Sequence, residues 1–174
     1  MAQELRALAL ARMIEIDPTA RVSPLADIEE SVRGTLIRIG PRAMVDSFVK
    51  IKPVGGTGDV LIGEGSFVNS GTVIYTGNGV RIGRGVLIAA NCTFAATNHQ
   101  FKRADIPIAK QGFQPDRGGI IVEDDVWIGA NCVILDGACI RKGAVVGAGS
   151  IVRGELASNT IYAGNPLREI GVRS

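Results

Sequence analysis

The sequence predicts an all-β protein, a parallel β-helix of hexapeptide repeats, and three observations carry that expectation. From Val122 every sixth residue is a branched aliphatic: Val122, Ile128, Ile134, Ile140, Val146 and Val152. Four places after the first five of these stand Val126, Cys132, Ala138, Ala144 and Ser150, all small or slim. The same beat runs upstream through Ile62, Val68 and Ile74, then Ile82, Ile88 and Phe94. A period of six fits neither the 3.6-residue helix nor plain strand alternation, and is the mark of a coil whose sides are hexapeptides. The first residue of each unit points inward and the fifth fills the same interior. Three units close one triangular coil, and adjacent coils pair strand on strand about 4.8 Å apart. Six or so coils give a prism in which each coil touches only its neighbours.

Taken in order, residues 4–14 are rich in Ala, Leu and Arg and predict a short amphipathic helix. Ile16-Asp17-Pro18-Thr19-Ala20 opens the repeat, which Val22 and Ile28 continue, and Ile39, Val45 and Ile51 restore it after an irregular stretch. Gly55-Gly56-Thr57-Gly58 and Gly77-Asn78-Gly79 each precede a new Ile-Gly and predict expanded turns at one corner, where Gly and Asn can take positive φ. Gly in second place (Ile62-Gly63, Ile82-Gly83, Ile128-Gly129, Val146-Gly147) is expected to suit the corner. Gln100 to Gly119 has no repeat, and so long a loop inside a compact fold is expected to be a functional lid rather than a merely solvated loop. The expected organisation is a helical segment 1–15, a β-helix 16–157 with the loop 100–119 inserted, and a C-terminal tail 158–174.

Composition removes several function classes. Aromatic residues make up 5% of the 174 and Gly numbers 23, so the core must be small and aliphatic. A net charge of +2 gives no reason to expect nucleic acid. Cys92, Cys132 and Cys139 lack metal-ligand spacing and are expected to be reduced, buried thiols of a cytoplasmic protein. No apolar run approaches the roughly 20 residues of a membrane span, so no membrane insertion is expected. The start, Met1 to Arg6, does not have the pattern of a signal peptide.

His99 is the one histidine, and it stands where the repeat breaks, at Ala95-Ala96-Thr97-Asn98-His99. A group that titrates near neutrality beside a break in a regular scaffold is where chemistry is expected, although a histidine capping a coil corner would have the same place. Lys102, Arg103, Lys110 and Arg117 in the following loop suit an anionic nucleotide or phosphate.

The hexads, Thr97-Asn98-His99, Asp125-Val126-Trp127-Ile128-Gly129-Ala130-Asn131 and Ala163-Gly164-Asn165-Pro166-Leu167-Arg168 together resemble the hexapeptide-repeat acetyltransferases. The nearest branch is that of galactoside and bacterial surface-polysaccharide O-acetyltransferases, and the resemblance spans about residues 37–170. It implies a left-handed coil, an exception to the usual crossover hand, and a homotrimer with acetyl-CoA between subunits. It implies that His99 takes the proton of a sugar hydroxyl attacking the thioester, which is worth about 10²–10⁴-fold in rate. It implies acceptor contacts from Asn69, thirty residues earlier, and from Asn98, although an Asn at either place could equally serve the coil. It implies that Ala130 and Ala148 leave room for the pantetheine arm, with Trp127 lining the cleft and Arg168 near the phosphates. The chain departs from the pattern at Arg153-Gly154, where a Thr-Lys pair is common; Arg153 is expected to supply that charge from one place earlier.

The expected activity is acetyl transfer from acetyl-CoA to a sugar hydroxyl in surface-polysaccharide (O-antigen or capsule) biosynthesis. The alternative is N-acetylation of a nucleotide-linked amino sugar, and residue types do not separate hydroxyl from amine. Acetylation of a xenobiotic stands third. A γ-type carbonic anhydrase needs three histidines for its metal and is excluded; a non-enzymatic β-helix would need neither His99 nor the lid.

Overall fold

The computed structural model describes residues 13–174, and over them the chain forms the expected parallel β-helix. Coil one comprises strands Ile14–Ile16, Arg21–Val22 and Asp27–Ile28; coil two Ile37–Ile39, Met44–Val45 and Lys50–Lys52; coil three Val60–Ile62, Phe67–Val68 and Val73–Tyr75. Coil four comprises Val80–Ile82, Leu87–Ile88 and Thr93–Ala95, and coil five, beyond the long loop, Ile120–Val122, Trp127–Ile128 and Val133–Leu135. Coil six is Cys139–Ile140, Val145–Val146 and Ile151–Val152. Glu155–Leu156 and Thr160–Ala163 begin a seventh turn, and Arg168–Val172 runs back antiparallel beside the latter, so residues 158–174 extend the second face and close its end. The first, second and third strands of successive coils stack into three faces. The helix expected within residues 1–15 lies outside the described residues, except that Ile14 and Glu15 are strand rather than helix, paired with Ile37 and Arg38.

The interior is the column that the six-residue beat predicts. Val122, Ile128, Ile134, Ile140, Val146 and Val152 are all buried, as are the fifth-place residues Val126, Cys132, Ala138, Ala144 and Ser150. Each inward residue stacks on its counterpart one coil away, Ile74 on Phe94 on Ile134 on Val152 in the third face. Cys92 and Cys132 stand in this interior, and the Cys132 sulfur together with burial pushes the Cys92 thiol up. Cys139 is only partly buried, and desolvation raises its thiol too.

The corners divide the work between two kinds of position. The fourth place takes the left-handed conformation, at Gly85 (φ 63°), Asn91 (φ 59°) and Asn131 (φ 59°) alike. The second place has ordinary φ, and glycine is needed there for another reason: a Cβ on Gly63 would stand 2.2 Å from the Gly83 carbonyl oxygen of the next coil. The corner glycines thus answer to coil-on-coil approach as well as to turn geometry.

Each edge of the prism has its own character. Where the first and second faces meet, ion pairs join coil to coil: Arg42 with Glu64, Arg84 with Asp124 at 2.7 Å, and Arg173 with Asp125 at 3.0 Å. Where the second and third meet, exposed Leu25 and Phe48 mark coils one and two, and the outer residues are small from coil three onward (Ser70, Ala90, Ala130, Ala148). Where the third and first meet, the long loop emerges.

Two substitutions separate the two glycine roles. Gly63→Ala should lower stability by about 1–3 kcal/mol through overpacking. Gly85→Asn should stay within about 1 kcal/mol, because Asn already holds the equivalent place in other corners and nothing lies near a Cβ there. Chemical denaturation of both variants is the check.

Candidate active site

At the lid edge, the chain leaves the coil after buried Ala96 and rejoins it at Ile120. The two expanded turns lie stacked beneath: a Cβ on Gly56 would stand 2.1 Å from the Gly77 oxygen, and one on Gly77 2.4 Å from that of Ala96. Backbone therefore rests on backbone over three coils, a platform for the loop root.

The loop folds back on its own beginning. Gln114 N–H donates to the Asn98 carbonyl (2.7 Å) and Gln100 N–H to that of Gly112 (2.9 Å). His99 and Phe113 face each other across this antiparallel bridge, their ring centroids 4.7 Å apart and tilted by 34°. The Asn98 side-chain oxygen accepts from the His99 N–H (2.9 Å), and the Gln114 amide donates to the His99 carbonyl (3.2 Å). His99 is exposed, and among the described residues its imidazole nitrogens have no hydrogen-bond partner. Among the described residues the ring is thus held by its backbone and by Phe113, with no carboxylate bonded to it.

Within the loop, the Gln111 amide donates to the carbonyls of Arg103 and Ile106, both at 2.7 Å. The Arg103 guanidinium beside Asp105 holds that carboxyl below its usual range. Asp136, on coil five, anchors the returning end. Its carboxylate accepts from the Gly119 N–H (3.1 Å), the Arg117 N–H (3.3 Å) and the Asn78 side-chain amide (3.0 Å).

Between loop and coils lies a cleft of about 500 Å³, walled by Thr97, Asn98, Gln114, Arg117, Asp136 and Arg153 among others. A shortened corner opens it. Coil five takes six residues from inward Ile134 to inward Ile140, whereas coil six takes four from Val152 to Leu156.

The remaining candidates gather on the small-residue edge. Asn69 stands there in coil three, its Nδ2 donating to the Ile88 carbonyl (2.6 Å), so its side chain serves the next coil in part. Asn69 does not occupy the left-handed corner place, which falls to Gly71 two residues later. Above it come Ala130 and the exposed Ala148. Among the described residues, the N–H groups of these two alanines donate to no backbone carbonyl. Trp127 is 53% exposed, stacked between Leu87 and Val145 on the outside of the second face rather than packed in the core. Arg168 pairs with Ala163 at the top of the same edge.

The chain therefore carries two separate sets. His99, Asn98 and Arg153 lie on the lid edge, and Asn69, Trp127, Ala130, Ala148 and Arg168 lie at or beside the small-residue edge, with the whole third face between them. Within one chain Arg153 therefore stands a face away from Trp127, Ala130, Ala148 and Arg168. Phe113, Gln114 and Asp136 escape sequence reasoning because the loop has no period, and an Asp in the third place of a hexad reads as a solvated corner.

Residues 119–154 match the bacterial transferase hexapeptide (six repeats). The chain carries this repeat. A putative lipopolysaccharide biosynthesis O-acetyl transferase, WbbJ of Escherichia coli (strain K12), is 35% identical over 121 residues, which is 66% of this chain and 61% of that protein. A 2,3,4,5-tetrahydropyridine-2,6-dicarboxylate N-acetyltransferase of Staphylococcus aureus is 48% identical over 56 residues, 32% of this chain and 23% of its own length. The hexapeptide chain thus spans less than two thirds of either relative. Among solved structures, AntD, an N-acyltransferase from Bacillus cereus, in complex with dTDP-4-amino-4,6-dideoxyglucose and coenzyme A, superposes with a TM-score of 0.77 at 26% identity. That match covers all of this chain and 90% of AntD. A hexapeptide-repeat acetyltransferase of Vibrio cholerae complexed with acetyl-CoA shares the fold (TM-score 0.63, 24% identity, 100% of this chain and 79% of that one). The coil is the left-handed β-helix of this group.

Asp136→Ala should free the loop root while leaving the coils intact. Trypsin should then cut within residues 100–119 about tenfold faster, since losing such a carboxylate bridge costs on the order of 1.4 kcal/mol locally. Mass spectrometry of the early fragments reads the site and the rate.

Proposed function

We propose that the chain is an acetyl-CoA-dependent acetyltransferase acting on a sugar hydroxyl, as in bacterial surface-polysaccharide biosynthesis, and working as a homotrimer. The observation that carries this reading is the separation of the two residue sets by a full prism face. One lid edge and the small-residue edge of a neighbour complete one site, and rings of heterologous contacts close at three. Sequence likeness to an O-acetyl transferase and fold likeness to an acyltransferase that holds coenzyme A and a sugar nucleotide both support it.

The small-residue edge fits the pantetheine arm. Ala130 and Ala148 leave the wall low, their N–H groups are available to an amide carbonyl, and Trp127 offers an exposed aromatic flank. Arg168 at the top of this edge suits the phosphates. On the lid edge, His99 takes the acceptor proton as the acceptor oxygen bonds to the thioester carbonyl carbon. The C–S bond then breaks and the coenzyme thiolate leaves with the electron pair. Asn69 and Asn98 present amides to the acceptor. Cys92 and Cys132 lie in the interior, so transfer is direct, without an acyl-enzyme. Backbone N–H groups supply the oxyanion donors.

The second reading, N-acylation of a nucleotide-linked amino sugar, is favoured by the whole-chain superposition on AntD. The same base would then act on an ammonium, or the amine would enter neutral. Acetylation assays against sugars, nucleotide amino sugars and chloramphenicol distinguish the acceptors.

Three results test the proposal. His99→Ala should lower kcat by about 10²-fold or more with little change in CoA affinity; near-full activity would overturn the assignment of the base. Ala148→Leu should abolish CoA binding by calorimetry without unfolding, since the side chain is outward. Light scattering should return a trimer at micromolar concentration.

A further inference from the structure

The direction of the two alanine N–H groups on the small-residue edge is set from inside the prism. From coil three upward, the fifth places behind this edge are Thr72, Cys92, Cys132 and Ser150, all buried and each with a donor. The Cys92 thiol donates to the Gly129 carbonyl one coil up (3.2 Å), and the Cys132 thiol to that of Gly147 (3.2 Å), which also accepts from Ser150 Oγ (2.6 Å). These carbonyls belong to the peptide units whose N–H groups are those of Ala130 and Ala148. In a trans peptide C=O and N–H point opposite ways, so a carbonyl held inward keeps its N–H outward. A completed example stands where the first and second faces meet. Ser66 Oγ donates to the Gly83 carbonyl (2.7 Å), and the N–H of the same peptide, that of Arg84, donates outward to Asp124 Oδ1 (2.7 Å). In coils four to six the fifth places of that edge, Val86, Val126 and Ala144, have no donor.

We propose that Cys92 and Cys132 are positioning residues for the coenzyme: from the interior their thiols bond the Gly129 and Gly147 carbonyls and so hold the Ala130 and Ala148 N–H groups outward, toward the amide carbonyls of the pantetheine arm. The part that Asp124 plays for Arg84 is thus taken here by the ligand, since the two alanine N–H groups donate to no backbone carbonyl among the described residues. They stand one coil apart, about 4.8 Å, because Ile128 pairs with Val146 and Val133 with Ile151 on either side of them. The two amide carbonyl carbons of pantetheine are four bonds apart, about 5 Å when extended, so one arm can meet both donors. Cys92 carries more of this role than Cys132. Among the described residues the buried Gly129 carbonyl has no second donor, whereas Gly147 also has Ser150. A buried carbonyl that loses its donor is costly, and turning its peptide toward water would carry the N–H off the edge. This inference rests on the acetyl-transfer reading for its ligand, and gives the interior thiols a task in it that needs no nucleophilic attack.

Selective labelling of the full chain isolates the peptides concerned. The sequence contains four Gly-Ala steps, Gly129-Ala130, Gly137-Ala138, Gly143-Ala144 and Gly147-Ala148. Glycine labelled at its carbonyl carbon and alanine labelled at nitrogen therefore give one NMR signal for each. Ala138 and Ala144 donate within their own corners, to the carbonyls of Leu135 (3.0 Å) and Arg141 (3.1 Å), and serve as controls. The Ala130 and Ala148 amides should exchange with water at least tenfold faster than these two, and CoA should protect both. Cys92→Ala, and Cys92→Val, which nearly keeps the volume, should move the Gly129-Ala130 signal and weaken CoA at least fivefold by calorimetry. Cys92→Ser should restore both, because Ser66 makes the same bond in its own coil. Val126→Ala, at a fifth place of the other edge, should change neither. If the variants without a donor bind CoA as the wild type does, or if Cys92→Ser is as weak as Cys92→Val, the positioning role is overturned and the acetyl-transfer reading stands. If the wild type shows the expected exchange but binds no CoA, the coenzyme is the wrong ligand and the acetyl-transfer reading falls with it.

Discussion

Everything in this molecule depends on coils lying one strand spacing apart, about 4.8 Å, around an interior only wide enough for aliphatic side chains. The spacing brings backbone onto backbone at every corner. It requires glycine at second places such as Gly63, and it stacks Ile74, Phe94, Ile134 and Val152 into one continuous column. Strands of two or three residues could not persist alone. They are held because each inward residue is covered by the coil above and the coil below.

Against so regular a background, departures acquire meaning. The lid edge departs three times: in the stacked Gly-rich turns, in the twenty-odd residues that loop out after coil four, and in the corner of coil six that is two residues short. The turns make a floor, the loop a roof, and the short corner an opening. His99 stands where they meet, clasped by Asn98, Phe113 and Gln114. The opposite edge of the same face is smooth, with alanines outward. A site that must hold both a long thin ligand and a base can divide these demands between edges when copies of the chain stand side by side.

The interior was legible from the sequence because a period of six leaves no second way to place Val122 through Val152. The lid was legible as a gap in that period, and His99 as the titratable group beside it. The role of the second-place glycines was only half legible: turn chemistry was visible along the chain, but contact between Gly63 and Gly83 is a relation between coils. For the same reason the sequence does not show that Arg153 stands on a different edge of the chain from Trp127, Ala130, Ala148 and Arg168. Distance along the chain does not reveal which edge a residue occupies once a corner shortens. Phe113, Gln114 and Asp136 act through contacts inside an aperiodic loop and across 14 to 58 residues, where no pattern announces them.

The ion pairs of the first edge solve a problem that the hydrophobic pattern leaves open. A one-residue slip between neighbouring coils would turn every inward aliphatic to solvent and is forbidden outright. A slip by two would keep strand sides inward but would move second-place glycines such as Gly63 off their close approach to the next coil. It would also carry Arg42 away from Glu64 and Arg84 away from Asp124, and would move backbone amides off Asp124. Individually weak at an exposed surface, such pairs act here as index marks. In a nearly translationally symmetric stack they tell coil three its alignment on coil two, and coil five its alignment on coil four, among several almost equivalent ones.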